Sequence, residues 1–365
     1  MKPVVFLFHG MGQHKEGWQD AVVQSFDDIV SQNKYAVFAQ KSVGDVFDFV
    51  PLGYDHILRE AVGRVEDSAD LLKSLEPFSD EAKELGDWIG GTSLKQRKFI
   101  WSHAMDVILY RLHTPTRQRI RTAVIEIMAK KIREVLSSSP MTPVSVLAHS
   151  LGTAVAHDAI HLLGSQQWGG VPNAFAPNIW KFKTIAMLAN VSRLLESDIS
   201  VTDSIVRPGP IGDVVSYSSV FLNYRHELDP IPWPQMFSTA GFPRGCTDDA
   251  VIRHFHAPNV HGWSHYLVNP RVHVPLLRML LGDLSAITAA EELAAHERFE
   301  RWGGEFAPIV DKIDQVKTEL PEDLRTVADA FGANPSLKDI AVAITLARKT
   351  FEKYEKIVDE LKEEI

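Results

Sequence analysis

The sequence predicts an α/β protein with a mostly parallel central sheet flanked by helices. Short runs rich in β-branched and other apolar residues recur along most of the chain, and helical periodicity fills the stretches between them. Strands that alternate with helices in this way are joined by crossovers that pack on the sheet. From about Ser285 onward no strand-like run occurs, and only charged amphipathic helices are predicted.

The predicted strands differ in the burial that their patterns indicate. Val4–Phe8 and Val144–Ala148 are continuous apolar runs, which are typical of strands covered on both faces. Asp45–Val50 alternates apolar and polar side chains, as a strand with one exposed face does. Three more strands are predicted at 182–190, 217–224 and 249–258.

Helices are predicted between these strands. Trp18–Ser31 and Gly152–Leu163 have helical periodicity, and a long helical block runs from about residue 55 to residue 138, with Pro115 in the first turn of a helix. We expect one domain over residues 1–284, with a helical insertion at about 55–138, and a helical appendage over residues 285–365. The aromatic residues of the insertion are expected in the core rather than in a ligand groove; they are Trp88, Phe99, Trp101 and Tyr110.

The composition excludes several classes of function. The net charge is −9, whereas binding to nucleic-acid phosphates needs clustered Lys and Arg, so no nucleic-acid partner is expected. No apolar run is long enough to cross a bilayer, and the first residues lack a signal-peptide pattern, so a cytoplasmic protein is expected. Cys246 is the only cysteine, which excludes an intrachain disulfide and a Cys-based zinc site.

Ser150 stands between a predicted strand and a predicted helix, in the stretch "VSVLAHSLGTAVAHD". A serine there can cap the helix, or it can be a nucleophile held on a sharp turn. The sharp turn needs small residues two positions either side, and Ala148 and Gly152 meet that need. The N–H of Leu151, at the helix N-terminus, could then stabilise a developing oxyanion.

A glycine-rich loop follows the first buried strand, in "FLFHGMGQ". Glycine allows the backbone to approach a ligand closely, and the N–H of Met11 could be the second oxyanion donor. The alternative is an ordinary glycine turn after His9. The loop becomes informative only in combination with a nucleophile.

A serine nucleophile needs a histidine base and a carboxylate that orients the base. Asp229 follows a predicted strand in a turn, and His265 follows the last predicted strand, which gives the chain order serine, acid, histidine. Alternatives for the acid are Asp203, Asp213, Asp248 and Asp249, and alternatives for the base are His254, His256 and His261. The His254–His256 spacing also occurs in metal sites, but no third ligand is evident, so no metal is predicted.

These motifs together resemble the α/β-hydrolase superfamily, in its lipase and serine esterase branch. The resemblance covers roughly Lys2–Gly282 and is strongest at 9–12 and 148–152, although Ala148 stands where the family usually has glycine, and the helical tail has no counterpart in the minimal fold. It implies Ser150 as nucleophile, His265 as base and Asp229 as the residue that orients it. Met11 and Leu151 would be the oxyanion donors.

The expected activity is hydrolysis of carboxylic esters through an acyl-enzyme, without a metal or organic cofactor. The expected substrate is a small-molecule or lipid-like ester, and the loop 230–245 is a candidate apolar wall for it, through Trp233, Met236, Phe237 and Phe242. Two alternatives stay open: a thioesterase, amidase or peptidase with the same triad, and a non-catalytic scaffold whose helical tail binds a partner protein.

Overall fold

The computed structural model contains a single six-stranded parallel sheet with helices packed on both faces. It describes residues 1–12, 14, 16–63, 105–169, 175–196, 198–229, 231–232, 235–255, 259–305, 352 and 356. The strands are β1 (Val4–Phe8), β2 (Asp48–Leu52), β3 (Val144–His149), β4 (Phe182–Leu188), β5 (Ser218–His226) and β6 (Thr247–Ile252).

Nine helices belong to the described residues, besides two short 3₁₀ turns at Ala36–Phe38 and Arg244–Cys246. They are α1 (Gln19–Asn33), α2 (Val43–Val46), α3 (Asp55–Gly63), α4 (Met105–Leu112), α5 (Thr114–Ser138), α6 (Leu151–Gly164), α7 (Trp263–Leu267), α8 (Pro270–Leu281) and α9 (Ala289–Glu305). The predicted α/β class with a parallel sheet is therefore confirmed.

The order of the strands in the sheet is β2-β1-β3-β4-β5-β6. Phe8 pairs with Ala148 and Ala148 pairs with Met187, so β1, β3 and β4 end at one level. The chain first adds β2 on one side of β1 and then β3 on the other side. Ligand sites of parallel sheets lie at the carboxyl ends of the strands where the order reverses in this way.

Side chains alternate between two apolar cores on opposite faces of the sheet. Val4, Phe6 and Phe8 of β1 join the core beneath α5 and α6, whereas Val5 and Leu7 join the core beneath α1 and α8. All five side chains are fully buried. This burial on both faces explains why β1 is a continuous apolar run.

The insertion packs on the sheet through α4 and α5, with Pro115 in the first turn of α5 as predicted. Arg121 of α5 is buried and forms an ion pair with Asp158 of α6 at 2.7 Å, and Tyr110 of α4 donates to the same carboxylate at 2.6 Å. Tyr110 is therefore a core residue, as expected. Trp88, Phe99 and Trp101 lie outside the described residues.

The observed boundaries differ most from the predicted ones at β2 and β6. Residues 43–46 form the short helix α2 because Ser42 caps it and Asp45 Oδ2 accepts from the Ser42 N–H at 3.1 Å, so β2 begins only at Asp48. Strand β6 ends at Ile252, so His254 is not part of a strand. His256 lies outside the described residues.

The first helix of the predicted appendage packs on the main domain. Ala295 of α9 is buried in the core beneath α8, and Arg278 of α8 contacts Glu292 at 2.7 Å. The described part of the appendage therefore shares a core with the sheet. None of the helices in the described ranges is long and apolar enough to cross a membrane.

Candidate active site

Ser150 lies on a sharp turn between β3 and α6, with backbone angles of φ 53° and ψ −129°. A positive φ is unusual for a residue with a Cβ, and backbone strain of this kind concentrates at functional sites. Although Ser150 occupies the N-cap position, its hydroxyl makes no capping hydrogen bond. Its backbone N–H donates to Leu188 O at 3.0 Å, which fixes the turn to β4.

Gly152 is required where α6 passes the end of β1. A Cβ at this position would lie 2.7 Å from the carbonyl oxygen of Phe8 and would overlap the carbonyl oxygen of His9. The first turn of α6 and the end of β1 therefore touch through their backbones. This contact brings Ser150 and the loop that begins at His9 together.

The hydroxyl of Ser150 begins a chain of three hydrogen-bonded side chains. Ser150 Oγ and His261 Nε2 are 2.7 Å apart, and His261 Nδ1 and Asp229 Oδ2 are also 2.7 Å apart. Because a carboxylate only accepts, Nδ1 carries the proton and Nε2 is left as the acceptor for the serine hydroxyl. This is the arrangement in which a histidine can remove a proton from a serine.

Asp229 is held by several donors at the end of β5. Tyr266 Oη donates to Oδ2 at 2.8 Å, and the N–H of Ile231 donates to Oδ1 at 3.1 Å. Burial, and then the charge of Asp229, raises the pKa of Tyr266 well above its ordinary value, so the phenol keeps its proton. Asp229 has no exposed surface.

The structure corrects the predicted histidine: His261 contacts Ser150 and Asp229, and His265 does not. His265 lies in the short helix α7, on its buried side, where its Nε2 is 3.3 Å from Nε2 of His226 and its ring stacks on His254. His261 precedes α7, in the turn closed by the Gly262 N–H to Asn259 O bond. The short helix that starts after Gly262 separates the two, because His261 lies in the turn before it and His265 lies inside it.

His149, next to Ser150, holds the loop that carries His261. Its Nε2 is 2.5 Å from the carbonyl oxygen of His261, to which it donates. Burial, and then the charge of His261, lowers the pKa of His149 to about 3. His149 is thus a neutral donor at ordinary pH.

The glycine loop lies directly against Ser150. A Cβ at Gly10 would be 3.0 Å from the Cβ and 3.5 Å from the Oγ of Ser150. His9 Nδ1 donates to the Gly10 carbonyl oxygen at 2.8 Å. Since a trans peptide directs its carbonyl and its N–H to opposite sides, the N–H of Met11 points away from the His9 ring.

The far end of the loop is bound to the insertion. The N–H of Gly12 donates to Asp106 Oδ2 of α4 at 2.8 Å. Burial raises the pKa of Asp106 to about 7, although the hydrogen bond from Gly12 opposes this shift. The loop is therefore fixed at both ends.

Leu151 is the first residue of α6, so its N–H has no acceptor one turn earlier within the helix. Ser150, beside Leu151, is 0% exposed, so its hydroxyl has no exposed surface. His261 is 9% exposed. A small molecule can contact the Ser150 hydroxyl only if part of the covering structure moves.

The alternative acids have other positions. Asp203 and Asp213 are not buried. Asp248 forms an ion pair with Arg271, and Asp249 accepts from Asn223 and Thr239. None of these contacts involves Ser150.

The candidate apolar wall belongs largely to the core. Phe237 is stacked on Phe221 of β5 with ring centroids 5.6 Å apart, and Phe242 packs edge-on against the same ring. Met236 is 47% exposed. Trp233 lies outside the described residues.

Comparison with known proteins gives no match, either to a protein-family model or to a curated protein.

Proposed function

We propose that this protein is a serine hydrolase of the α/β-hydrolase type, which cleaves carboxylic esters through an acyl-enzyme. The observation that carries the proposal is the position of His261, 2.7 Å from the Ser150 hydroxyl on one side and 2.7 Å from Asp229 on the other. The strained backbone of Ser150 at the carboxyl end of a parallel sheet supports it further.

In the first half of the reaction, Ser150 Oγ attacks the ester carbonyl and His261 Nε2 takes the hydroxyl proton. The bond to the alcohol then breaks, and His261 returns the proton to the leaving alkoxide. This leaves an ester between the acyl group and Ser150. Asp229 stabilises the imidazolium that forms between these steps.

In the second half, water attacks the acyl-enzyme. His261 removes one proton from the water, the Ser150–acyl bond breaks, and the proton passes to Ser150 Oγ. The acid leaves and the free enzyme is restored. No step needs an additional reactant.

The backbone N–H groups of Met11 and Leu151 are the proposed donors to the tetrahedral oxyanion. The hydrogen bond from His9 to Gly10 O directs the Met11 N–H away from the His9 ring, and Leu151 begins α6. A donor of this kind contributes about 3 kcal/mol to transition-state stabilisation. Gly10 is small enough to allow the close approach to Ser150.

The nucleophile is tested by fluorophosphonate labelling followed by peptide mapping. Wild type should be labelled at Ser150, and Ser150→Ala should not be labelled. Ser145→Ala is the matched control, because Ser145 is buried on β3, the strand that leads to Ser150, and its hydroxyl has no hydrogen-bond partner in the described chain. Full labelling of Ser150→Ala would contradict the proposal.

The base is tested by comparing His261→Gln with His265→Gln. We expect His261→Gln to slow labelling and ester turnover about a thousand-fold or more, because the hydroxyl then lacks a proton acceptor. His265→Gln should stay within about tenfold of wild type where circular dichroism shows it folded. The reverse ranking of the two folded variants would overturn the assignment of His261.

The substrate class is tested by parallel assays on matched ester, thioester and amide substrates. A higher kcat/KM on esters is expected. Faster thioester or amide cleavage that still requires Ser150 would keep the mechanism and change the substrate class.

A further inference from the structure

A second cluster of histidine and aspartate side chains lies on the other side of the glycine loop. One ring nitrogen of His9, one of His14 and a carboxylate oxygen of Asp55 lie within 4.8 Å of one another. His9 is fully buried, Asp55 is 7% exposed and His14 is half-buried. None of these side chains takes a proton in the proposed reaction.

The hydrogen bonds of His9 leave one nitrogen directed into the cluster. Its Nδ1 faces the Gly10 carbonyl oxygen, which only accepts, so Nδ1 carries the proton. Its Nε2 is 2.9 Å from Asp55 Oδ2, but the contact lacks hydrogen-bond geometry, and Nε2 has no hydrogen-bond partner in the described chain. A buried ring nitrogen next to a carboxylate oxygen needs a proton or a metal ion between them, and the absence of hydrogen-bond geometry favours the metal ion.

His14 and Asp55, like His9, each leave one atom on the side of the cluster without a hydrogen-bond partner in the part of the chain that the structure describes. The Nε2 of His14 is buried without a hydrogen-bond partner among the described residues, and the ring lies beside the backbone of Gly10 and Met11. Asp55 Oδ1 accepts from the His14 backbone N–H at 3.3 Å, which leaves Oδ2 to the cluster. Histidines that ligate metals donate their other ring N–H to a carbonyl or carboxylate in this way, and ligating carboxylates accept hydrogen bonds as well.

We propose that His9, His14 and Asp55 bind a divalent first-row transition ion through His9 Nε2, His14 Nε2 and Asp55 Oδ2. Two ligand atoms, each about 2.1 Å from an ion and at right angles, are about 3.0 Å apart. The separation of 2.9 Å between His9 Nε2 and Asp55 Oδ2 fits this right-angle spacing, which five- and six-coordinate ions have, and is shorter than the spacing of about 3.4 Å in a tetrahedral site. Two imidazoles and one carboxylate suit ions such as Zn²⁺, and three protein ligands leave coordination positions open.

The site has an entry path and a rigid frame. His14 and Asp55 line a surface cleft, together with Glu16 and Arg59. Inside, the Tyr54 ring stacks on His9 with centroids 4.0 Å apart. An ion bound here would connect both ends of the glycine loop to the start of α3.

The site is tested by calorimetric titration of the full chain with Zn²⁺ alone, after removal of bound metals with EDTA. We expect one equivalent to bind to wild type, and binding at least tenfold weaker in His14→Gln and in Asp55→Asn, because removal of even a supporting residue costs about tenfold to 100-fold. His56→Gln is the matched control, since His56 is an exposed neighbour on the same cleft. It should bind like wild type.

Thermal unfolding keeps the test independent of folding defects and of the proposed hydrolase activity. Zn²⁺ should raise the Tm of wild type and of His56→Gln, and it should not raise that of His14→Gln, which replaces a half-buried side chain. Co²⁺ should give a visible absorption band in wild type that His14→Gln lacks. Absence of one-equivalent binding in wild type, or unchanged binding in both ligand variants, would overturn the proposal.

Discussion

Ser150 has backbone angles that favour glycine, yet the proposed chemistry needs its side chain. A residue with a Cβ in such a conformation costs about 1–3 kcal/mol, which the surrounding structure has to supply. Leu188 O, which accepts from the Ser150 N–H, and the helix that follows hold the turn in place. The strained backbone of Ser150 therefore lowers the stability of the fold and fixes the direction of the hydroxyl.

We predict that Ser150→Gly unfolds at higher denaturant concentration than Ser150→Ala. Both variants lack the hydroxyl, and only alanine keeps the strained Cβ. After subtraction of the greater freedom of glycine in the unfolded chain, a difference of about 1 kcal/mol in the free energy of unfolding is expected. Equal urea midpoints for the two proteins would show that the turn is not strained.

That Ser150 and Asp229 lie in one cluster could be predicted from the sequence because each closely follows a strand. Ser150 follows β3 and Asp229 follows β5 by a short turn. The histidine could not be fixed in this way, because His261 and His265 share one segment and only the position of α7 separates them. Sequence spacing gives no direction to side chains in a segment that mixes turn and short helix.

At the scale of elements, the contact between α6 and β1 explains one glycine directly. We predict that Gly152→Ala destabilises the protein by about 1–3 kcal/mol, since the new methyl group must displace backbone carbonyls of Phe8 and His9. Labelling of Ser150 should slow as well, because the new methyl group would push the turn that carries Ser150 away from the glycine loop.

Gly245→Ala is the control for this prediction, since a Cβ there would have no heavy atom within 4 Å. Its free energy of unfolding should stay within about 0.5 kcal/mol of wild type. Urea unfolding of the three proteins measures both effects. A Gly152→Ala protein as stable and as reactive as the control would contradict the close contact.

Strongly apolar elements could be predicted with good boundaries, and edge elements could not. Val4–Phe8 was identified to the residue because it is buried on both faces, whereas β2 lies at the edge of the sheet and contains Pro51, which a central strand does not tolerate. The local capping box of Ser42 and Asp45 stabilises residues 43–46 as a helix. Where the apolar pattern is weak, local hydrogen bonds therefore determine the secondary structure.

At the scale of the whole molecule, buried histidines connect stability to pH. Burial lowers the pKa of His273 to about 4 and that of His149 to about 3. His273 is held neutral between Tyr35, which donates to Nε2, and the carbonyl oxygen of Leu267, which accepts from Nδ1. The unfolded chain protonates both rings near their ordinary pKa of about 6.5.

We predict that the protein loses stability as the pH falls below about 6.5. In that range the two histidines bind protons in the unfolded state, whereas in the folded state they stay neutral down to about pH 4. Each of these two histidines should change the unfolding equilibrium constant by up to about tenfold per pH unit in that window. His273→Gln should be less stable at pH 7 but should have a shallower pH dependence. Urea unfolding between pH 7 and pH 5 measures the slopes, and equal slopes would contradict the prediction.

The distance along the chain between Ser150 and His261, 111 residues, has a consequence for a newly made polypeptide. A ribosome that has released the chain through Asp229, just after β5, has already produced the proposed nucleophile and its acid, but not the imidazole of His261. The serine of such a nascent chain would be chemically inert until the last segment docks. In the mature protein, detachment of the segment that carries His261 would stop the proposed reaction at Ser150 while leaving the sheet intact.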